Sequence, residues 1–209
     1  MAIQDIYQAV LGFDGDLVAD LVKKELGHGT EVSAILRQGL IAALDEVGER
    51  FGRGDMFLPE MLAAAQAMKG GLEVIKPFLT GADAQSAGTM VIGTVQGDLH
   101  DIGKDLVSMM VEGAGFRVFN LGVDVHTEAF LRAIEEKDPD ILALSALLTT
   151  TMPAMRETVS LIKKRNTRAK IIVGGAPVTQ AFADQIGADG YADDAPGAVA
   201  LVRKLLGRK

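Results

Sequence analysis

The apolar residues of this chain keep a helical period up to about residue 80 and abandon it near residue 85. That change limits the chain to folds joining an all-helical part to an alternating one. Over residues 31–51, Val32, Leu36, Leu40, Leu44, Val47 and Phe51 step by four, four, four, three and four. The stretch after Pro59 repeats the pattern with Met61, Ala65, Met68, Leu72, Ile75 and Leu79. Both read as helices with one buried stripe. Pro59 suits a first helical turn, where its missing N–H costs nothing. Two shorter helices are expected at residues 3–11 and 16–26, with Gly27 as a stop and Thr30 as the next N-cap. Four helices with short connections suggest an antiparallel bundle over residues 1–84.

The small, polar segment GADAQSAG, residues 81–88, reads as a linker, with the break itself at residues 85–88. Strand-like runs then fall at 89–95, 117–121, 141–146, 170–173 and 190–192, apolar on both faces as in a buried parallel sheet. Helical stretches lie between and after them, at 101–113, 127–136, 151–164, 178–186 and 195–206. Repeated β-α units imply right-handed crossovers and a doubly wound α/β domain over residues 89–209. Five strands favour the flavodoxin-like, Rossmann-like order 2-1-3-4-5.

Composition removes several function classes. Hydrophobic residues make up 48%, enough for a packed core. No apolar run reaches the ~18 residues of a membrane helix. The start MAIQDIYQAV lacks a basic lead and an apolar core, so no signal peptide is expected and the cytoplasm is the default location. Without cysteine there are no disulfides, thiolate metal sites or thiol nucleophiles. A net charge of −7 argues against nucleic acid as a partner, and 5% aromatics without tryptophan argues against base stacking.

In a sheet of this order, ligands bind beyond the carboxyl ends of the strands at the switch point, among the loops after strands one and three. The first loop reads VQGDLHDIGKD, residues 95–105. Asp98 and His100 are two apart, so an extended loop can aim both to one side. The carboxylate can then take the imidazole Nδ1–H and leave Nε2 as a ligand or base. Alone, Asp-x-His describes a solvated loop histidine as well as it describes a site. Gly93, Gly97 and Gly103 allow a bulky group near the backbone or unusual dihedrals. A phosphoacceptor receiver would need an Asp where strand three ends in Ser145. A flavin phosphate would meet Asp98 and Asp101. GxGxxG is absent, and His28, His100 and His126 are too scattered for a zinc set.

GDLHDIGKD closely resembles the Asp-x-His-x-x-Gly signature of cobalamin-binding domains, in the fuller GDxHDIGK form. Ser145 and Leu147 match the family's Ser-x-Leu element, and Gly174-Gly175 its Gly-Gly element. FGRGDMFLPEML is similar to the hinge of the four-helix cap in methionine synthases and anaerobic corrinoid proteins. The resemblance implies a stand-alone corrinoid protein holding cobalamin or a related corrinoid. His100 would be the lower cobalt ligand, tuned by Asp98. Thr151 would stand where the family has a relay serine. Gly97, Asp101, Ile102 and Gly103 would border the cofactor, and Ser145, Leu147 and Thr149 would line the slot for its detached nucleotide tail. Gly174, Gly175, Tyr191 and Ala195 would lie along that tail. Phe51, Leu58 and Met61 would cover the methyl face.

The implied role is carriage of a methyl group between a substrate-specific methyltransferase, of methylamine, methanol or methoxyarene type, and an acceptor-side methyltransferase. A reductive activator fits the same scheme. The protein would not catalyse alone. The alternative is a cobalamin-binding sensory or regulatory module. Such photoreceptors carry a tryptophan-bearing cap motif and a DNA-binding segment, whereas this chain has no tryptophan. Adenosylcobalamin mutase modules normally lack the helical cap.

Overall fold

Three consecutive four-residue steps overrun a 3.6-residue turn by about 40° each, so the stripe from Val32 to Leu44 would drift around a regular α-helix. The computed structural model describes residues 2–78, 87–165 and 167–207, and it shows how the chain absorbs that drift. The expected helix over 31–51 is α-helical only at α3 (Val32–Ala34) and α4 (Ala42–Arg53). Between them, Ile35–Ile41 is π-helical, and the Ala42 N–H reaches back to Arg37 O. The wider turn keeps Ile35, Gly39, Leu40, Ala43, Leu44 and Val47 buried together. Gly39 lies against Ile6, where an added Cβ would come within 3.2 Å of Ile6 Cγ2.

α1 (Ala2–Leu11) and α2 (Gly15–Gly27) precede this rod, and α5 (Leu58–Ile75) follows it, ending in a 3-10 turn, Lys76–Phe78. Leu79 and most of the expected linker, residues 81–86, lie outside the described residues. α2 and α5 approach closely through small residues. A Cβ on Gly71 would stand 2.8 Å from Val18 Cγ1, and one on Gly15 3.3 Å from Ala67 Cα. The Phe57 N–H donates to Glu60 Oε2 at 2.8 Å and opens α5, with Pro59 in its first turn. Thr30 is not the N-cap expected of it, since Glu31 precedes α3. Its hydroxyl donates instead to the buried Glu25 carboxylate at 2.7 Å, because that carboxylate needs donors more than the helix end does.

The second unit is a five-stranded parallel sheet in the order β2-β1-β3-β4-β5. Its strands are β1 (Thr89–Thr94), β2 (Arg117–Asn120), β3 (Ile141–Ser145), β4 (Lys170–Gly174) and β5 (Gly190–Tyr191). The helices are α6 (Ile102–Gly113), α7 (Thr127–Lys137), α8 (Met152–Lys163), α9 (Gln180–Ile186) and α10 (Ala195–Leu205). Val91, Leu142, Leu144, Ile171 and Val173 form the core with Phe130 of α7 and Met155 and Val159 of α8. The chain's compact units divide at Ser86–Ala87, with Glu112–Gly115 grouped with the helical part.

Candidate corrinoid site

β1 sends its chain to β2 on one side, while β3 pairs with it on the other, so the switch point lies between the ends of β1 and β3. Two loops meet there. Val95 N–H donates to Ser145 O at 3.0 Å as the strands end. Gly97 turns the first loop with φ +83. Asp98 follows, completely buried.

A buried carboxylate is costly unless donors surround it. Asp98 has five. Oδ1 accepts from the His100 N–H at 3.1 Å and from His100 Nδ1 at 2.7 Å. Oδ2 accepts from Leu147 N–H at 2.7 Å, Leu148 N–H at 3.3 Å and the Thr151 hydroxyl at 2.8 Å. Burial pushes the Asp98 carboxyl up, but the donors Leu147 N–H, His100 ring, Thr151 hydroxyl and His100 N–H outweigh it. The group is held well below the usual carboxylate range.

With an ionised Asp98 beside it, Nδ1 carries the imidazole proton and Nε2 the lone pair. Nε2 has no hydrogen-bond partner among the described residues, and the His100 side chain is 49% exposed. Exposed apolar side chains flank it: Leu99 at 71% and Ile102 on the first turn of α6 are close in sequence, and Leu147 and Leu148 belong to the second loop, whose N–H groups bond Asp98. Among the described residues no group of three or more His, Cys, Asp or Glu could hold a bare metal ion. One imidazole nitrogen among exposed apolar side chains suits a metal that brings its own macrocyclic ligand.

The structure thus joins Gly97, Asp98, His100, Leu147 and Thr151, Leu147 through its backbone N–H and Thr151 through its hydroxyl. Ser145 closes β3 and Gly174 closes β4, with Gly175 just beyond it. Gly175 has φ +117, and a Cβ there would fall 1.9 Å from Ala146 O, so only glycine lets the second loop cross. At Gly174 it would fall 2.9 Å from Ala192 O. Gly103 meets nothing within 4 Å. The space beside Gly93 is taken by Phe130, 2.8 Å from an added Cβ, so that glycine serves core packing and not a ligand.

Thr149 lines an open groove of ≈ 600 Å³ with Met152, Pro153, Arg156 and Phe182. Tyr191 and Ala195 flank the end of β5, half-buried and buried respectively. Burial, then Asp193 and Asp194, push the Tyr191 phenol up. Asp101 is exposed, its carbonyl accepting from Asp105 N–H at 2.7 Å. Within the helical unit, Leu58 is exposed, Phe51 half-buried and Met61 1% exposed, packed in that unit's core. Exposed Phe57 stands beside Leu58 and was not singled out by the sequence.

Family models described as "B12 binding domain" match residues 88–200 and 2–76. A trimethylamine corrinoid protein of Methanosarcina mazei is 44% identical over 95% of this chain and 93% of its own length. The chain belongs to the corrinoid proteins. A corrinoid protein of Desulfitobacterium hafniense is 39% identical over 99% of this chain and 98% of its own. The fold of the methanol:cobalamin methyltransferase complex of Methanosarcina barkeri superposes with a TM-score of 0.88, at 29% identity, covering all of this chain and 80% of that one. Like its family, this corrinoid protein binds cobalamin or a related corrinoid. No helix among the described residues is long and apolar enough to cross a membrane.

The Asp98 cluster gives this corrinoid protein a testable acid response. The carboxyl's native pKa lies below its unfolded value of about 3.9, so its stabilisation is fully present above that pH and is lost as pH falls through the native value. Asp98→Asn in the cofactor-free protein should cost about 2–3 kcal/mol at pH 7, since charge-assisted hydrogen bonds are lost. The difference between the two proteins should shrink below pH ~4. Urea midpoints across pH read this directly. A gap that stayed constant to the lowest pH would show that Asp98 does not titrate with the fold.

Proposed function

We propose that this corrinoid protein carries a methyl group between a substrate-specific methyltransferase and an acceptor-side methyltransferase, with His100 Nε2 as the lower ligand of the corrinoid cobalt. The observation that carries the reading is the buried Asp98 holding His100 Nδ1 at 2.7 Å while Nε2 has no partner among the described residues. The corrinoid, when bound, supplies a cobalt that takes up a methyl group and hands it on.

The chain's own residues govern the proton. Asp98 Oδ1 keeps it on Nδ1, which orients the ring and directs the Nε2 lone pair outward. The Thr151 hydroxyl lies 2.8 Å from Asp98 Oδ2 and 2.9 Å from Leu148 O, and its single proton can serve one acceptor at a time. If Asp98 gains a proton, the hydroxyl hydrogen can turn to Leu148 O and leave Oδ2 without a clash. The methyl that distinguishes threonine from serine leaves both contacts intact, which supports Thr151 in the relay position. Gly174, Gly175, Tyr191 and Ala195 are assigned to the nucleotide tail, and exposed Leu58 with Phe51 to the methyl face.

Relatives matching over nearly the whole chain are trimethylamine and dimethylamine corrinoid proteins, which favours a methylamine-derived methyl group and a methyltransferase partner. A sensory role has no comparable support. Two expected results test the reading. Cofactor-free protein given hydroxocobalamin under reducing conditions should retain one coloured corrinoid per chain after desalting. The loaded protein should then show negligible methylation by trimethylamine or dimethylamine until a cognate methyltransferase is added, followed by corrinoid absorbance. Loss of colour on desalting would remove the cofactor site, and rapid partner-free methylation would make the protein a complete enzyme.

A further inference from the structure

Lys104 is the one lysine with a side chain this deeply buried among the described residues, at 3% exposure, and the chemistry described so far does not use it. A buried ammonium must be paired to be tolerated. It contacts Asp105 Oδ1 and donates to Asn120 Oδ1 at 2.9 Å. Asn120 Nδ2 closes the ring by donating to Asp105 Oδ1 at 2.8 Å. The first turns of α6 are therefore tied to the last residue of β2, sixteen positions on.

The network continues toward the ligand. Asn120 Oδ1 also accepts from Gly122 N–H at 2.9 Å, and Gly122 O accepts from Thr94 N–H at 3.0 Å. Thr94, wholly buried, donates its hydroxyl to His100 O at 2.9 Å. Further along the same β2–α7 loop, Asp124 sits at φ +51, a strained setting for a residue other than glycine. Its N–H donates to Asp98 O at 2.9 Å, and its Oδ1 accepts from Gly97 N–H at 2.7 Å. The loop that Lys104 and Asn120 anchor thus grips the His100 loop at Gly97, at Asp98 and, through Thr94, at His100 itself.

We infer that Lys104 and Asn120 are positioning residues for the axial ligand: by anchoring the β2–α7 loop they hold His100 at the height from which Nε2 reaches the cobalt. This rests on the reading of His100 as that ligand. A loop released on this side keeps the Asp98–His100 contact but gains freedom as a unit, so the imidazole is in place for less of the time.

The test is the electron paramagnetic resonance spectrum of the protein, prepared with 15N-labelled histidine, loaded with cobalamin and reduced to cobalt(II): a ligating histidine nitrogen splits the cobalt lines into doublets, the splitting that counts, whereas the cofactor's own base nitrogen would give triplets. Asn120→Ala is the first variant. Asn120 is exposed, and its loss leaves the Lys104–Asp105 pair in place, so the chain should fold. Lys104→Met, of similar length, is the second. Wild type should be fully split and His100→Ala unsplit. Asn120→Ala should bind a full equivalent of corrinoid with the split fraction reduced at least twofold, and Lys104→Met should reduce it further. Folded variants with a lower denaturation midpoint but a fully split spectrum would make the network merely structural and overturn the inference. A wild type without nitrogen splitting would overturn the ligand reading instead.

Discussion

His100→Ala should abolish nitrogen ligation while leaving the fold intact, because the side chain is half-exposed and packs into no core. The loss should be larger than for any neighbour. Removing a mere hydrogen-bond partner of a metal ligand typically costs about 10–100-fold in metal affinity or activity, and His100 is proposed as the ligand itself. Corrinoid affinity should fall at least ~10-fold, and methyl transfer with the cognate partner by about as much or more. Titration with hydroxocobalamin and single-turnover absorbance measure the two separately. Asp98 should keep Leu147, Leu148 and Thr151 on Oδ2 and the residue-100 backbone N–H on Oδ1 but lose the ring donor, so the cofactor-free variant should fold with a cost of about 1–3 kcal/mol in urea. Unchanged affinity and an unchanged cobalt spectrum would end the assignment.

Gly175→Ala should have the largest effect on stability of any single methyl added to the α/β unit. The new Cβ would fall 1.9 Å from Ala146 O, a backbone atom that cannot rotate away, in a residue at φ +117. Backbone strain and overpacking together suggest a cost of roughly 3 kcal/mol or more. The damage should extend to cofactor retention, since Ala146 opens the loop whose next two N–H groups bond Asp98. Gly103→Ala is the matched control. It sits in α6 with open space around it, and alanine there should be neutral or stabilise the cofactor-free protein by up to about 1 kcal/mol. Urea midpoints of the two variants should therefore move in opposite directions or differ severalfold in size. Equal small effects would mean that the β3–β4 crossing relaxes freely.

The strand order was legible because short apolar runs separated by helical stretches leave few topologies, and all five strands appear within two residues of their expected ends. The helical rod was legible as a stripe. Its π turn was present in the four-residue steps of Val32, Leu36, Leu40 and Leu44 but was not read from them. Thr30 misled because a hydroxyl near a helix start has two uses, and Glu25 claimed it from the preceding helix. Gly93 misled because a missing side chain does not say what fills the space, and Phe130 lies 37 residues away in the chain. At the site, Asp98 and His100 were readable because they lie two residues apart. Lys104, Asn120 and Asp124 were not, since only the crossover from β1 to β2 brings residues 16 and 27 positions apart into contact. The second-loop leucines were readable as residues but not as donors, for it is their backbone N–H groups that bind Asp98.

One carboxylate fastens both loops of the switch point. Its Oδ1 faces the first loop and its Oδ2 the second, and Thr151 at the start of α8 hangs from the same oxygen. The two loops therefore cannot open independently. Any movement of His100 would bear on the start of α8 through a group only one side chain long. Were a corrinoid held through His100 as proposed, a displacement of that side chain would be passed to the start of α8 by a single carboxylate.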